Sequence, residues 1–222
     1  MAKILEHKKA LKLRQQGKSY SQIKKILGLS KSTLSLWLRD YPLSKEQIRA
    51  LRDWSETRIE KYRETRRKQR ETRLAQYYKS GKQRLLPASS KALYIAGLFL
   101  YWGEGTKLMS SPLVISNTDP SVIKFSLFWM NKILKIPKEK IKFKLHLYSD
   151  MNIEEEHVFW SKQLRIPTKQ FRKPYIKTSN SRSINYKTFN HGTCEIHGGN
   201  VRLKEQIMTD ITVIYDKYKM GQ

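Results

Sequence analysis

A single acidic residue near the middle of the chain, Glu104, is the strongest candidate for chemistry. It lies between Gly103 and Gly105, at the end of an apolar segment that starts at Ser89. The apolar spacing predicts a helix whose last turn holds Glu104, where the helix macrodipole disfavours a carboxylate. Gly105 is predicted to end the helix, because glycine readily adopts a positive φ. Carboxylate oxygens suit Mg²⁺, which bridges protein to phosphate, so Glu104 is predicted to bind Mg²⁺.

The same predicted helix carries a stripe of small residues at helical spacing. Ser89, Ala92, Ala96 and Gly103 follow this stripe, and only Phe99 interrupts it. Small side chains let another backbone approach closely, so Ala92, Ala96 and Gly103 are predicted to form a helix–helix seam. The alternative is an ordinary buried core helix with an acid at its exposed end.

The stretch from Ala96 to Gly105 resembles the LAGLIDADG helix of homing endonucleases. The matching residues are Ala96-Gly97-Leu98 and the acid between two glycines, Gly103-Glu104-Gly105. In that family two such helices pack at a domain or subunit interface, and the acid near each helix end binds the metal that cuts DNA. The resemblance implies that Glu104 is catalytic, that Mg²⁺ is its cofactor, and that a chain with one such motif acts as a homodimer.

The charge of the chain points to a polyanionic partner. The 222 residues include 45 Lys and Arg against 19 Asp and Glu, which gives a net charge of +26. The excess is spread along the whole sequence, so nucleic acid is the simplest expected partner, with a merely soluble basic protein as the alternative. The single cysteine, Cys194, excludes a disulfide framework. No phosphate-cradling glycine loop is present, and no small-molecule substrate is expected.

Membrane insertion and secretion are not expected from the sequence. The longest apolar run, 92–102, is too short to span a bilayer. The first residues are basic but lack an apolar core and a cleavage site. The expected location is therefore the cytoplasm, in association with the nucleoid.

Residues 1–43 are predicted to form three short helices. Ser19 and Gln22 form a capping box for the second helix, Gly28 ends it, and Ser30 caps a third helix over 31–39. The stretch 17–40 resembles the DNA-binding helix-turn-helix of resolvases and related regulators.

In such domains the third helix enters the major groove. The resemblance therefore implies that the polar residues of its outer face contact DNA: Lys31, Ser32, Ser35 and Arg39. A helical protein-interaction module is the alternative.

Residues 44–86 are predicted to form a basic helical linker that starts at Ser44. Apolar residues become rare after Ile59, so this helix lacks a face that could pack on a core. It either lies on DNA, with Arg66, Arg67 and Arg70 as DNA-binding residues, or is a solvated spacer. The spacer would be held by pairs such as Glu60–Glu64–Arg67. Lys79-Ser80-Gly81 and Pro87 mark the predicted boundary to the next domain.

Residues 87–222 are predicted to form an α+β domain. After the first helix, the patterns predict a hairpin over 107–116, a helix from Asp119-Pro120 to about Lys135, a strand over 141–148, a helix over 152–165, strands over 174–178 and 192–198, and a helix over 201–219. Apart from the helix over 152–165, this order resembles the αββαββα unit of LAGLIDADG domains, in which a saddle-shaped sheet sits on DNA.

The clearest strand alternates apolar residues with Lys142, Lys144 and His146, so those three are predicted to share one sheet face. This face, with Lys173 and Lys177 of the following strand, is predicted to bind DNA. Lys142 and Lys144 are also candidates for polarising the attacking water, and the sequence does not choose between them.

The sequence contains one other candidate metal site, for zinc. His191, Cys194 and His197 are close in sequence. However, strand periodicity turns Cys194 away from the two histidines, so zinc is not expected.

Together these patterns predict a sequence-specific, double-stranded DNA-binding protein that resembles a homing endonuclease and hydrolyses phosphodiester bonds as a Mg²⁺-dependent homodimer. The alternative is a transcriptional regulator on the same scaffold, in which the LAGLIDADG-like domain is catalytically inactive.

Overall fold

Helices dominate the fold, and a four-stranded sheet lies in its C-terminal half. The computed structural model describes residues 2–51, 54–108, 110–178 and 191–219. The chain divides into two compact units, 1–86 and 87–222, called unit 1 and unit 2 below. The predicted α+β class is confirmed.

Unit 1 begins with three helices: α1 (Ala2–Gln15), α2 (Tyr20–Leu27) and α3 (Lys31–Leu38). The capping box is confirmed, because Ser19 and Gln22 exchange both hydrogen bonds. Gly28 ends α2 with a φ of 67°, and the side chain of Ser30 caps α3. The three helices pack around a small apolar core: Ala10, Tyr20, Ile23, Leu34 and Leu38.

Two further helices complete unit 1: α4 (Lys45–Arg49) and α5 (Trp54–Leu85). The predicted start at Ser44 is confirmed, since Ser44 and Gln47 form a second capping box. The predicted single helix is nevertheless wrong, because α4 ends after one turn and α5 is a separate 32-residue helix. Gly81, predicted to mark the domain boundary, lies inside α5, and the helix continues through it to Leu85.

Within unit 1, the first turns of α5 contact α1 and α2 through charged groups rather than through an apolar face. Glu60 is 4% exposed and accepts two hydrogen bonds from Arg14, with N–O distances of 2.8 and 3.2 Å. Arg63 donates a third at 2.9 Å, and both guanidinium groups lie over the ring of Tyr20. A buried carboxylate is stable only with such partners. The buried residues of α5 are polar, as expected for a helix without an apolar face, and ion pairs rather than an apolar core hold its first turns.

The predicted Glu60–Glu64–Arg67 pairing is also wrong. Glu64 pairs with Lys68 at 3.0 Å, and Arg67 pairs with Glu71 at 2.7 Å. On an exposed helix, i,i+3 and i,i+4 spacings both allow an ion pair, so Glu64 can pair with Arg67 or with Lys68. The long-range contact to Arg14 removes Glu60 from that set.

Unit 2 contains four helices and four strands in the part of the chain that is described: α6 (Ser90–Glu104), β1 (Leu113–Asn117), α7 (Pro120–Phe128, continued by a π-helical turn Trp129–Ile133), β2 (Lys142–Tyr148), α8 (Ile153–Leu164), β3 (Tyr175–Lys177), β4 (Thr193–Gly198) and α9 (Val201–Tyr218). Short 3₁₀ turns occupy Lys138–Lys140 and Thr168–Gln170. Asp119 and Pro120 start α7 as predicted.

The strand order is β1-β4-β2-β3. β4 pairs antiparallel with β1 and β2, whereas β2 and β3 are parallel. The described residues therefore give the order αβαβαββα, whereas the sequence patterns predict αββαβαββα, with a hairpin after the first helix. The parallel pair follows from α8, because a crossover helix between two neighbouring strands returns the chain in the same direction.

The predicted first hairpin over 107–116 is wrong for its first half. Lys107 and Leu108 form no strand, and Ser110 and Ser111 lie in a turn. Lysine side chains hold this loop instead: Lys107 donates to the end of α6, and Lys204 donates to Leu108 and Ser111.

Two glycines, Gly97 inside α6 and Gly105 directly after it, occupy positions where a side chain has no space. Gly105 has a φ of −85°, so the expected positive φ is wrong. A Cβ at Gly105 would lie 2.5 Å from the ring and the carbonyl oxygen of Tyr101. A Cβ at Gly97 would lie 1.9 Å from Nε1 of Trp129, which is fully buried.

Gly97→Ala is therefore expected to destabilise unit 2 by about 1–3 kcal/mol, the usual cost of overpacking a core. Gly81→Ala is the control inside another helix, α5, because a Cβ there meets nothing within 4 Å. It is expected to be neutral or slightly stabilising, since alanine favours helix over glycine. Urea unfolding of both variants measures the difference. Equal stabilities would show that Trp129 does not fix the spacing between α6 and the core.

Candidate nucleic-acid interface

A groove between α3 and the middle of α5 is lined by five of the seven predicted DNA-binding residues of unit 1. It has a cavity volume of about 940 Å³. Ser35 and Arg39 line it from α3, and Arg66, Arg67 and Arg70 line it from α5. These five residues come from two segments that the sequence could not place side by side. The structure brings them to one surface.

Three arginines on the α5 side of this groove form no ion pair within the described residues: Arg66, Arg70 and Arg73. Their i, i+4, i+7 spacing puts them on one side of α5, at intervals of about 6 and 4.5 Å along the axis. A guanidinium group presents a planar fork of donors that matches a phosphate. The stripe Arg66-Arg70-Arg73 is therefore suited to binding a phosphodiester backbone.

Acidic residues of the groove are engaged by neighbouring cations. Glu71 pairs with Arg67, and Glu64 pairs with Lys68. The hydrogen bond from Lys68 lowers the pKa of Glu64, which stays ionised. Asp40 lies 3.9 Å from Arg39 at the exposed end of α3. The charges of the three unpaired arginines therefore dominate the surface that faces solvent.

The N-terminus of α3 carries the other two predicted DNA contacts, Lys31 and Ser32. Both are exposed, although neither lines the groove. Oγ of Ser30 accepts the backbone N–H of Thr33 and lies 2.9 Å from Oγ of Ser32. The hydroxyl of Ser32 therefore belongs to the cap of α3, whereas the ammonium group of Lys31 extends from its first turn.

The polar face of the sheet in unit 2 is the second basic surface. The predicted alternation of β2 is confirmed: Lys142, Lys144 and His146 are partly exposed, and the residues between them are buried. Lys177 lies on β3 with its ammonium 4.9 Å from the ring centre of Tyr148. The fifth predicted contact, Lys173, is exposed just before β3.

A carboxylate that sequence reasoning missed, Glu195, lies at the centre of this face. Its Oε2 is 3.1 Å from Nε2 of His146 and 3.2 Å from Nε2 of His197. Oε1 accepts a hydrogen bond from Ser116 at 3.2 Å. The hydrogen bond to His197 is the main reason that the pKa of Glu195 falls to about 2. Strand alternation places Glu195 on the polar face, but only the strand register reveals these partners.

Cys194 lies on the opposite, buried face of β4, as the periodicity predicts. Burial raises the pKa of its thiol. The side chain belongs to the core of unit 2, away from His197.

Glu104 is the exposed last residue of α6, at the edge of the same sheet. Gly105 forms an antiparallel bridge with Ile115, which places Glu104 beside Ser116. Ser116 in turn is paired with Glu195 in β4, and Glu195 with Lys144 in β2.

The helix macrodipole disfavours the Glu104 carboxylate at the C-terminus of α6, and the positive charge of Lys107 compensates for this effect. The ammonium group of Lys107 donates to the carbonyl oxygens of Tyr101, Trp102 and Gly105 at 3.1, 2.7 and 2.7 Å. A cation there compensates the negative end of the macrodipole. Burial lowers the pKa of Lys107, and the charge of Glu104 acts in the opposite direction.

The carboxylate of Glu104 has no hydrogen bond or ion pair within the residues that the structure describes. Mg²⁺ commonly binds through one or two carboxylates and completes its shell with water and substrate phosphates. An exposed, unpaired carboxylate at the edge of a basic face fits that pattern.

A second missed residue, Lys204 on α9, fixes the loop that follows Glu104. Lys204 is fully buried, and its ammonium group donates to the carbonyl of Leu108 and, at 3.0 Å, to Oγ of Ser111. Burial lowers its pKa, and the nearby charge of Lys107 adds to this effect. A lysine inside an amphipathic helix pattern gives no sequence signal for such a role.

The predicted seam is exposed on unit 2. Ala92, Ala96 and Gly103 lie on the outer side of α6, while Leu98 and Tyr101 are buried against the core. Phe99 interrupts the stripe and is 47% exposed. The small residues therefore do not pack within their own unit.

Comparisons with family models, curated proteins and solved structures found no match to this chain. Within the described ranges, every helix is too short or too polar to cross a membrane.

Proposed function

We propose that the protein binds double-stranded DNA in a sequence-specific manner and cuts it as a Mg²⁺-dependent homodimer. The observation that carries the proposal is the groove between α3 and α5. There Ser35 and Arg39, at the C-terminal end of α3, and the stripe Arg66-Arg70-Arg73 line one groove. This surface combines groups that can contact base edges with groups that can bind phosphate, which sequence-specific binding requires.

In this proposal α2 and α3 are the two helices of a helix-turn-helix, and α3 enters the major groove. The turn between them, Gly28-Leu29-Ser30, has three residues, which is the length typical of the motif. Lys31, Ser35 and Arg39 contact base edges, and the arginines of α5 bind the adjacent backbone. Unit 1 then supplies both the specificity and much of the electrostatic affinity.

Unit 2 supplies the proposed cleavage site, in an arrangement that resembles a LAGLIDADG domain. Glu104 would hold Mg²⁺, and the ion would supply Lewis-acid stabilisation and lower the pKa of a bound water molecule. Lys142, Lys144 and His146, with Lys173 and Lys177, bind phosphates next to the scissile bond. Cleavage of both strands needs two acids, so a second copy docks its seam on Ala92, Ala96 and Gly103.

A transcriptional regulator with the same DNA-binding parts is the second candidate, and Phe99 favours it. A phenylalanine in the middle of a small-residue stripe keeps two helix backbones apart. Two Glu104 side chains would then be held further from each other than paired cleavage requires.

Selection from a random-site duplex library with Mg²⁺ tests both functions, if enriched sequences and newly formed ends are read together. A nuclease enriches one site and produces ends within it. A regulator enriches a site without ends. Failure to enrich any duplex would contradict the proposal as a whole.

A further inference from the structure

One exposed aliphatic side chain lies at the edge of the outer face of α3. Leu36 is 61% exposed, whereas its neighbours Leu34 and Leu38 are fully buried. It is four residues after Ser32, one after Ser35 and three before Arg39. On a helix this spacing places Leu36 among the side chains proposed to face the major groove. At 3.6 residues per turn, Leu36 lies about 40° from Ser32 and about 60° from Arg39 around the helix, so it borders the surface proposed to face the bases.

The polar groups around Leu36 have limited capacity to distinguish base pairs. The hydroxyl of Ser32 is shared with the cap of α3 through Ser30. Ser35 offers one hydroxyl, which can bond to several bases. Arg39 at the end of the helix is a strong partner for guanine, but it reads one position. Lys31 in the first turn can likewise contact guanine, so these side chains leave the recognition of thymine unassigned.

The major-groove edge of a base pair carries one apolar group, the C5 methyl of thymine. An aliphatic side chain that packs on this methyl favours thymine over cytosine. The contact also removes the exposed surface of the leucine from water, which is favourable in proportion to the area buried.

We infer that Leu36 is a specificity-determining residue that contacts thymine methyl groups in the DNA site. The inference rests on the proposed DNA-binding function and goes beyond it, because it names the chemical group that is read. A leucine that instead docks a protein partner, or that has no role, gives a different result in the test below.

The test replaces each thymine of the enriched duplex, one at a time, by deoxyuridine, which lacks only the C5 methyl. Dissociation constants are measured for the native chain and for Leu36→Ala. For the native chain, one or two replacements are expected to weaken binding about fourfold each, the value of one buried methyl-sized group. For Leu36→Ala, the same replacements are expected to have no effect.

Leu5→Ala is the matched control, because Leu5 is also 61% exposed but lies on α1. This variant should keep the full sensitivity to deoxyuridine. Circular dichroism of both variants should match the native chain, since neither leucine belongs to the core.

Several results would overturn the inference. Equal sensitivity of the native chain and Leu36→Ala would show that another residue contacts the methyl groups. Insensitivity of the native chain at every thymine would show that no methyl is read. A library from which no duplex is enriched would overturn both this inference and the proposed function, and is distinguished from the other results at the selection step.

Discussion

Glu104→Gln is expected to abolish DNA cleavage while binding to the same site survives or improves. Glutamine keeps the shape and volume of the side chain but removes the charge that Mg²⁺ needs. Without the metal, the transition state of cleavage loses several kcal/mol of stabilisation. The cleavage rate should therefore fall by at least about 10²-fold. Binding improves if two carboxylates, one from each copy, lie near the phosphates. Single-turnover cleavage and equilibrium binding on the enriched duplex measure the two effects.

Glu205→Gln removes the same charge from an exposed position on α9 and serves as the control. It should cut at the native rate. Replacing Mg²⁺ by Ca²⁺ should allow the native chain to bind without cutting. Native-like cleavage by Glu104→Gln would refute the metal-binding role. If no divalent ion produces cut ends on a duplex that is bound, the regulator becomes the better description.

Local features of the fold could be predicted because a few neighbouring residues determine them. The capping boxes at Ser19 and Ser44 depend on a side chain three positions away. The alternation of β2 depends only on the strand period. Such signals fixed the starts of helices and the faces of strands before any tertiary contact was known.

Contacts between distant segments could not be predicted in the same way. Arg14 and Glu60 are 46 residues apart, and nothing in the pattern of α5 marks Glu60 as buried. The parallel pairing of β2 with β3 depends on the path of α8 across the sheet. The extended Gly105 reflects the position of the Tyr101 ring rather than the conformational preference of glycine.

The candidate site shows the same division. Residue type and spacing selected Glu104 and the cations of α3, α5 and β2. The groove between α3 and α5 and the carboxylate of Glu195 emerged only from packing and register. Sequence therefore names candidates by chemistry, and the fold decides which of them share a surface.

The affinity for the enriched duplex is expected to fall steeply with salt. Neutralising about six phosphates releases enough counterions to weaken binding by ~10³-fold or more between 50 and 200 mM salt. The arginines that line the groove in unit 1 should account for a measurable part of this salt dependence. Each arginine of the stripe Arg66-Arg70-Arg73 that contacts one phosphate contributes about 0.9 to the slope of log K against log salt.

The triple variant Arg66→Gln, Arg70→Gln, Arg73→Gln should therefore reduce the magnitude of that slope by about 2.7 and weaken all sequences alike, because phosphate contacts carry no base information. The control removes three charges from the same helix outside the groove, at exposed positions: Lys61, Lys79 and Lys82. Its effect on the slope should be clearly smaller. Equal slopes for the two triple variants would show that the groove is not the contact surface. If the affinity of the native chain hardly changed with salt, the proposal that its cations bind DNA phosphates would be contradicted.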